Sequence, residues 1–307
     1  MKAIHGAMAV LLLLVSGLGH AESNSSMQIA ITFDDLPLHN DLPPGVTRQQ
    51  VAKDIIHALQ AARAPKVYGF INAVHLQNDR ALGEVLSDWH AAGFPLGNHT
   101  WTHASLNSVS IADYTDELLK NETTLALYSK GMAWNWFRYP YLAEANDPEK
   151  RKAVRALLSQ HGYHIAAVTM SFGDYMWNGP YARCAAEHDE TAIKLLEKSY
   201  MLAVAAALRN SHQMSTALYG RDIPYVLLMH MGGFDARMLP QVLAFYNSQG
   251  VKLITLEQAQ QDEVYNSDFD PALPAEPSGL EARMMARGLA VPRSDSALTS
   301  MLDNICK

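Results

Sequence analysis

Cysteine is scarce in this 307-residue chain, and Cys184 with Cys306 can close at most one bridge. In an oxidising compartment one bridge across that long loop is the expected state, although two separate thiols also fit the sequence. Positive charge is in deficit too. Lys and Arg number 24 against 31 Asp and Glu, a net charge of −7 at pH 7, and no basic and aromatic stripe runs through the chain. No attraction to nucleic acid or to an anionic membrane is therefore expected, and a neutral or cationic partner fits better. No apolar run reaches the roughly 20 residues that a membrane-spanning helix needs, so no membrane anchor is expected. Internal repeats and a phosphate-cradling glycine loop are missing as well.

What is present reads as a globular chain behind an export signal. At 49% hydrophobic and 18% charged residues, composition argues against disorder, and the length suffices for one large core or two modest ones. Lys2 precedes an apolar run from Ala7 to Val15 that closes on Gly19-His20-Ala21, the small-residue pattern of a signal-peptidase site. Cleavage is expected after Ala21, giving a secreted or periplasmic protein; an uncleaved signal anchor is the alternative. Losing Lys2, the one charged residue of the first 21, takes the net charge from −7 to −8.

From Met27 onward short β-rich runs alternate with helical spacing. Seven candidate strands emerge: Gln28–Phe33, Lys66–Ile71, Phe94–Gly97, Asn135–Tyr139, His164–Val168, Tyr225–Met229 and Val251–Ile254. Helical periodicity runs over Thr47–Ala62, Asp79–Ala92, Ile111–Lys130, Pro148–His161, Thr191–Arg209 and Ala236–Gln249. Such alternation implies a parallel sheet in an α/β fold. Seven units suit a deformed barrel better than a closed eight-stranded one, and an open doubly wound sheet has the same periodicity. The reading divides the chain into a signal peptide (1–21), a catalytic domain (22–261) and a proline- and acid-rich extension (262–307). That extension is expected to pack on the domain surface, with helical spacing only over Gly279–Arg287.

In parallel α/β folds the chemistry gathers at the carboxyl ends of strands. Four apolar runs end in suitable groups: Thr32-Phe33-Asp34-Asp35, then Asn98-His99 leading to His103, then Arg138-Tyr139-Pro140-Tyr141, then Leu228-Met229-His230. His99 and His103 are four apart, which in a helical turn puts both imidazoles on one face; an Asp from the first run completes a three-ligand metal site. Histidine with carboxylate suits Zn2+, with Co2+, Ni2+ or iron also possible. Two adjacent aspartates resist joint ionisation unless a cation neutralises one, and Arg138 can hold the other as a base.

These residues resemble the polysaccharide deacetylases with a NodB-type homology domain, carbohydrate esterase family 4, over about residues 27–255. The resemblance implies a deformed (β/α)7 barrel, acetylated glycans as substrates and a divalent metal. It assigns Asp34 as catalytic base, Asp35, His99 and His103 as metal ligands, and Arg138 as the group that positions the base. The backbone N–H of Tyr141 becomes an oxyanion donor, Asp174 an orienting acid and His230 the general acid. Tyr175 or Trp177 becomes the aromatic wall of the substrate site. Two departures stand out. Leu36-Pro37 replaces the usual Gly-Pro, which implies a bulky side chain at Leu36 beside the acetyl group, and the fourth motif reads Gly173-Asp174-Tyr175-Met176-Trp177.

His39 and Asn40 are expected to rim the groove, and Trp101 and Trp136 either to stack on sugar or to sit in the core. His57, His75, His90, His161, His164, His188 and His212 read as solvated or packed. The leading function is N-deacetylation of GlcNAc-type glycans such as chitooligosaccharide or peptidoglycan. O-deacetylation of xylan is a variant, and glycan binding without turnover the rival class. A metal phosphoesterase is disfavoured by the missing phosphate loop. The secreted protein is expected to begin at Glu22, which intact-mass analysis checks; material that retains Met1 contradicts it.

Overall fold

The computed structural model describes residues 26–292 and 296–307, so the expected signal segment lies outside the described residues. The first strand, β1 (Gln28–Leu36), is apolar and buried along nearly its whole length, the pattern of a strand covered on both faces. The elements that follow are α1 (Arg48–Ala61), β2 (Tyr68–Ile71), α2 (Gly83–Ala91), β3 (Leu96–Asn98), α3 (Ile111–Tyr128), β4 (Trp136–Phe137) and α4 (Pro148–Gln160). Next come β5 (His164–Ile165), α5 (Asn178–Ala186), α6 (Glu190–Tyr219), β6 (Tyr225–His230), α7 (Gly233–Ser248), β7 (Lys252–Leu253), α8 (Gly279–Ala286) and α9 (Ser296–Asn304).

Each expected strand forms; β1 and β6 run beyond their expected ends, to Leu36 and His230, and the other five are shorter than their apolar runs. All pair in parallel, in the order β5-β4-β3-β2-β1-β6, with β7 joined to β1. This is the deformed (β/α)7 barrel. Between β5 and β6 the wall is completed by an irregular stretch: Thr169 and Met170 N–H both donate to Val226 O, at 3.1 and 3.0 Å, and Leu228 N–H donates back to Met170 O at 3.1 Å.

Local sequence explains the helices. Thr47 caps α1, which turns Val51, Ile55 and Leu59 inward. Ser110 and Asp113 form a reciprocal capping box on α3, and Asp147 caps α4 with Pro148 at its first position. The helix α6 outruns its expected end at Arg209 and stops where Gly220 takes a left-handed φ of 71°. Helix α5 lies outside the expected helical segments; its Pro180 falls within the first turn, where it gives up no intrahelical bond. No helix among the described residues is long and apolar enough to cross a membrane.

The extension beyond residue 261 enters the main core. Tyr265, Leu280 and Leu302 are buried within the same cluster as β1 and β6, and α9 is a second helix where only one was expected. Cys184 and Cys306 are disulfide-bonded with Cα atoms 5.1 Å apart, and Arg183 beside the bridge donates to Leu302 O at 3.2 Å and Cys306 O at 3.0 Å. The bridge therefore fastens α9 to α5. Cys306→Ser opens a closed loop spanning 122 residues and is expected to lower unfolding stability by about 2–4 kcal/mol. Chemical denaturation with and without reductant checks this, since reductant should lower wild-type stability and leave the variant unchanged.

Candidate active site

Register brings the sequence motifs level at the carboxyl end of the barrel. Asp34 on β1 lies opposite His230 on β6, and Asn98 on β3 lies opposite Phe137 on β4, which puts His99 and Arg138 side by side. Successive residues of a regular strand face opposite ways, so Asp34 and Asp35 would normally part company. Here the β1–β2 pairing slips between Phe33 and Leu36, and Asp35 takes a left-handed φ of 61°. Such a bulge re-aims a side chain. Both carboxylates consequently line one cavity of about 410 Å³ with His99, His103 and His230.

The two acids have different partners. Arg138 Nη1 donates to Asp34 at 3.2 and 3.3 Å, while Nη2 donates to Thr32 Oγ1 at 3.0 Å and Nε to Ala166 O at 2.6 Å. Burial lowers the guanidinium pKa, and the Asp34 carboxylate opposes that. Asp35 has no guanidinium partner and faces imidazoles, of which His99 is shared, its Nε2 lying 3.6 Å from Asp34 Oδ2 as well. Its Oδ1 lies 3.6 Å from His99 Nε2 and 3.5 Å from His103 Nε2, while Oδ2 is 2.7 Å from His39 Nδ1. Burial raises the Asp35 pKa, but the His39 hydrogen bond and the surrounding histidines outweigh it and hold the carboxyl well below the usual range.

The donor set fits a metal ion. His99 Nδ1–H donates to Arg138 O at 2.7 Å, which leaves the Nε2 lone pair facing Asp35. Burial, reinforced by the neighbouring His99, lowers His103 to about 4, so it is an unprotonated imidazole at neutral pH. Asp35 Oδ1 is buried without a hydrogen-bond partner, an arrangement costly in itself and resolved by a cation. Gaps of 3.5–3.6 Å between donors are near what two bonds of about 2.0–2.2 Å span at a tetrahedral angle.

Facing this group, His230 Nδ1–H donates to Asp174 Oδ1 at 2.9 Å, and His230 backbone N–H donates to Asp174 Oδ2 at 2.6 Å. Burial depresses the His230 pKa, but the fully buried Asp174 overrides it and lifts the pKa to about 10. Tyr175 is 47% exposed and edges His230 and His39 at the cavity, and Tyr141, with φ 58°, stands at the mouth with its ring 4.5 Å from that of His103.

Three expectations are corrected. His99–His103 is not a helical turn: left-handed values at Thr100 (φ 64°) and His103 (φ 61°) coil the loop so that the imidazoles converge. Trp177 is buried and its indole N–H donates to Ser199 Oγ at 2.9 Å, so it cannot wall a groove. Leu36 is also buried, with Cδ2 filling the space a Cβ at Gly69 would need, 2.6 Å away, and it does not border the cavity. Trp101 and Trp136 belong to the core. The cavity instead gains Ser171, Leu142, Leu228 and above all His39, which sequence reasoning placed only on the rim. Its spacing of four from Asp35 was the available signal.

Fold and cavity define a deformed (β/α)7 barrel whose carboxyl end joins an acid pair to four imidazoles. The family profile described as "Polysaccharide deacetylase" matches residues 21–166, which hold Asp34, Asp35, His99, His103, Arg138 and Tyr141. A chitin deacetylase of Arthroderma benhamiae is 27% identical over 147 residues, 48% of this chain and 35% of that protein, so the chain spans about a third of the relative's length. Among solved structures the chitin deacetylase of Colletotrichum lindemuthianum superposes with a TM-score of 0.55 at 19% identity, covering 82% of this chain and 95% of that one. A Bacillus anthracis family 4 pseudoenzyme superposes with a TM-score of 0.52 at 14% identity, over 76% of this chain and 66% of that one. Over residues 21–166, just under half of its length, the chain is similar to the polysaccharide deacetylase family.

The His230–Asp174 pair has a pH signature. A folded pKa near 10 against about 6.5 unfolded means that its stabilisation is fully present below about pH 6.5 and is lost as pH rises from there through about 10. Asp174→Asn removes the main group opposing burial and leaves only the weaker pull of Asp35 and Asp34, so His230 should titrate below its wild-type value. NMR titration of the His230 ring in metal-free protein checks both statements.

Proposed function

We propose that this protein is an exported, metal-dependent deacetylase that removes N-acetyl groups from GlcNAc-type glycans of the chitooligosaccharide or peptidoglycan kind. The observation that carries the reading is the division of labour between adjacent aspartates: Asp34 alone is paired with Arg138 and Asp35 alone with His103, His99 lies 3.6 Å from each, and His230 on Asp174 faces both across one cavity. Asp35, His99 and His103 would hold the divalent ion, with zinc suited to the donor types. Such an ion supplies positive charge that polarises a carbonyl oxygen and acidifies water at the site.

The chain's own groups complete the hydrolysis. Asp34, oriented by Arg138, takes a proton from the water that attacks the acetyl carbon. The oxyanion falls within reach of the Tyr141 backbone N–H, a donor type whose loss elsewhere costs roughly 3 kcal/mol. His230, carrying a proton because Asp174 backs it, delivers that proton to the amine nitrogen as the C–N bond breaks, and acetate leaves. The exposed ring of Tyr175 offers an apolar face to a sugar. Since a Bacillus anthracis pseudoenzyme shares the fold, glycan binding without turnover is the second reading, and acetate release separates the two.

The aspartates should fail differently. Asp35→Asn is expected to lose both metal and activity, with partial recovery at high metal concentration. Asp34→Asn is expected to keep about one metal per chain while the rate falls by roughly 10²–10⁴-fold. Elemental analysis and acetate release from chitooligosaccharide, peptidoglycan and acetylated xylan, made on the same preparations, check this. Metal loss in Asp34→Asn with retention in Asp35→Asn reverses the two roles, and full activity in either removes the site.

A further inference from the structure

We propose that His39 is a positioning residue for Asp35: its imidazole Nδ1–H pins one carboxylate oxygen so that the other alone is presented to His99 and His103. The proposal rests on the reading of Asp35, His99 and His103 as a ligand set.

The geometry is specific. His39 Nδ1 and Asp35 Oδ2 are 2.7 Å apart, within charge-assisted hydrogen-bond range, and a carboxylate can only accept, so the proton sits on Nδ1. The other oxygen, Oδ1, has no hydrogen-bond partner and stands 3.6 and 3.5 Å from the two Nε2 atoms. One oxygen is thus committed and one is free. A carboxylate rotating about its Cβ–Cγ bond would otherwise exchange these roles, and a hydrogen bond from outside the ligand set stops that.

The His39 ring also meets those of His230 and Tyr175, with centroids 4.6 and 6.4 Å away, but neither contact takes its proton. Its Nε2 is buried without a hydrogen-bond partner, so among the described residues the bond to Asp35 is the single polar one its side chain makes. A histidine retained for packing would not need a main chain anchored on its behalf, yet Arg48 of α1 donates Nη1 to His39 O at 2.8 Å and Nη2 to Asn40 O. Asn40 adopts a left-handed φ of 57°, which turns the chain back toward α1 at this point.

A competing arrangement uses the same atoms: Asp35, His39 and His230 also place one ligand atom each within 4.8 Å of one another. In that arrangement His39 Nδ1 and His230 Nδ1 are engaged by carboxylates, at 2.7 and 2.9 Å, so ligation would fall to their Nε2 atoms, of which His39 Nε2 is buried without a hydrogen-bond partner. The test separates the two.

Zinc is the probe. The intact protein and its His39→Asn, His39→Gln and His39→Ala variants are titrated in competition with a chromophoric chelator, with stoichiometry from elemental analysis and folding from thermal melts. The amide nitrogen of Asn stands where Nδ1 stands along the side chain, whereas that of Gln stands nearer Nε2. His39→Asn is therefore expected to bind zinc about as tightly as wild type, and His39→Gln and His39→Ala about 10–100-fold more weakly, each with one zinc per chain. Unchanged affinity in the folded Gln and Ala variants overturns the proposal, as does loss in Asn with retention in Gln. Two zinc ions per wild-type chain and one in His39→Ala overturn it in favour of ligation by His39. A wild type that binds no zinc removes the ligand set itself, and this inference with it.

Discussion

A guanidinium cannot be left unpaired in an apolar interior, and Arg138 is 1% exposed. Its requirement for partners organises this end of the barrel. The fork is satisfied from two stretches of chain: Asp34 and Thr32 on β1, and Ala166 O just after β5. Strands β1, β4 and β5, far apart in sequence, are thereby tied at the level where the sheet must curl. The residue's own carbonyl then takes the Nδ1 proton of His99, so one side chain and its peptide fix both the acid on one side of the cavity and the tautomer of an imidazole on the other.

That arrangement makes the adjacent acids unequal. Asp34 is hydrogen-bonded to a guanidinium, whereas Asp35 is hydrogen-bonded to the His39 imidazole and has His103 as a further neighbour, with His99 between the two acids. The difference originates in the backbone. A regular strand would have sent one of the two away from the cavity, and it is the slipped β1–β2 register with its left-handed Asp35 that keeps both.

Much of this was legible in the sequence because the relevant signals are short in range. Apolar runs such as Gln28–Phe33 and Tyr225–Met229 announce parallel strands, and a polar residue directly after such a run falls at the catalytic end of the sheet. Asp34, Asp35, His99, Arg138 and His230 were found by that rule. Failures occur where long-range packing decides. Trp177 looked like a wall residue until Ser199 on α6 claimed its indole N–H, and Leu36 looked like a groove residue until the missing side chain of Gly69 gave it somewhere to go. The turn from His99 to His103 was misread because helical periodicity and a coiled loop can bring the same two side chains together. Helix α9 is held by Cys184 and by Arg183, neither of which leaves any trace in its own sequence.

Left-handed backbone recurs at Asp35, His103 and Tyr141, a conformation that disfavours residues bearing a Cβ by roughly 1–2 kcal/mol each. Glycine would occupy all three positions more comfortably and would supply neither of the ligands proposed at Asp35 and His103. Structural ease and chemistry are therefore opposed at these residues. If selection for turnover were relaxed, substitutions that abolish the reaction would be among those the barrel tolerates best, and erosion of the site would proceed without erosion of the fold.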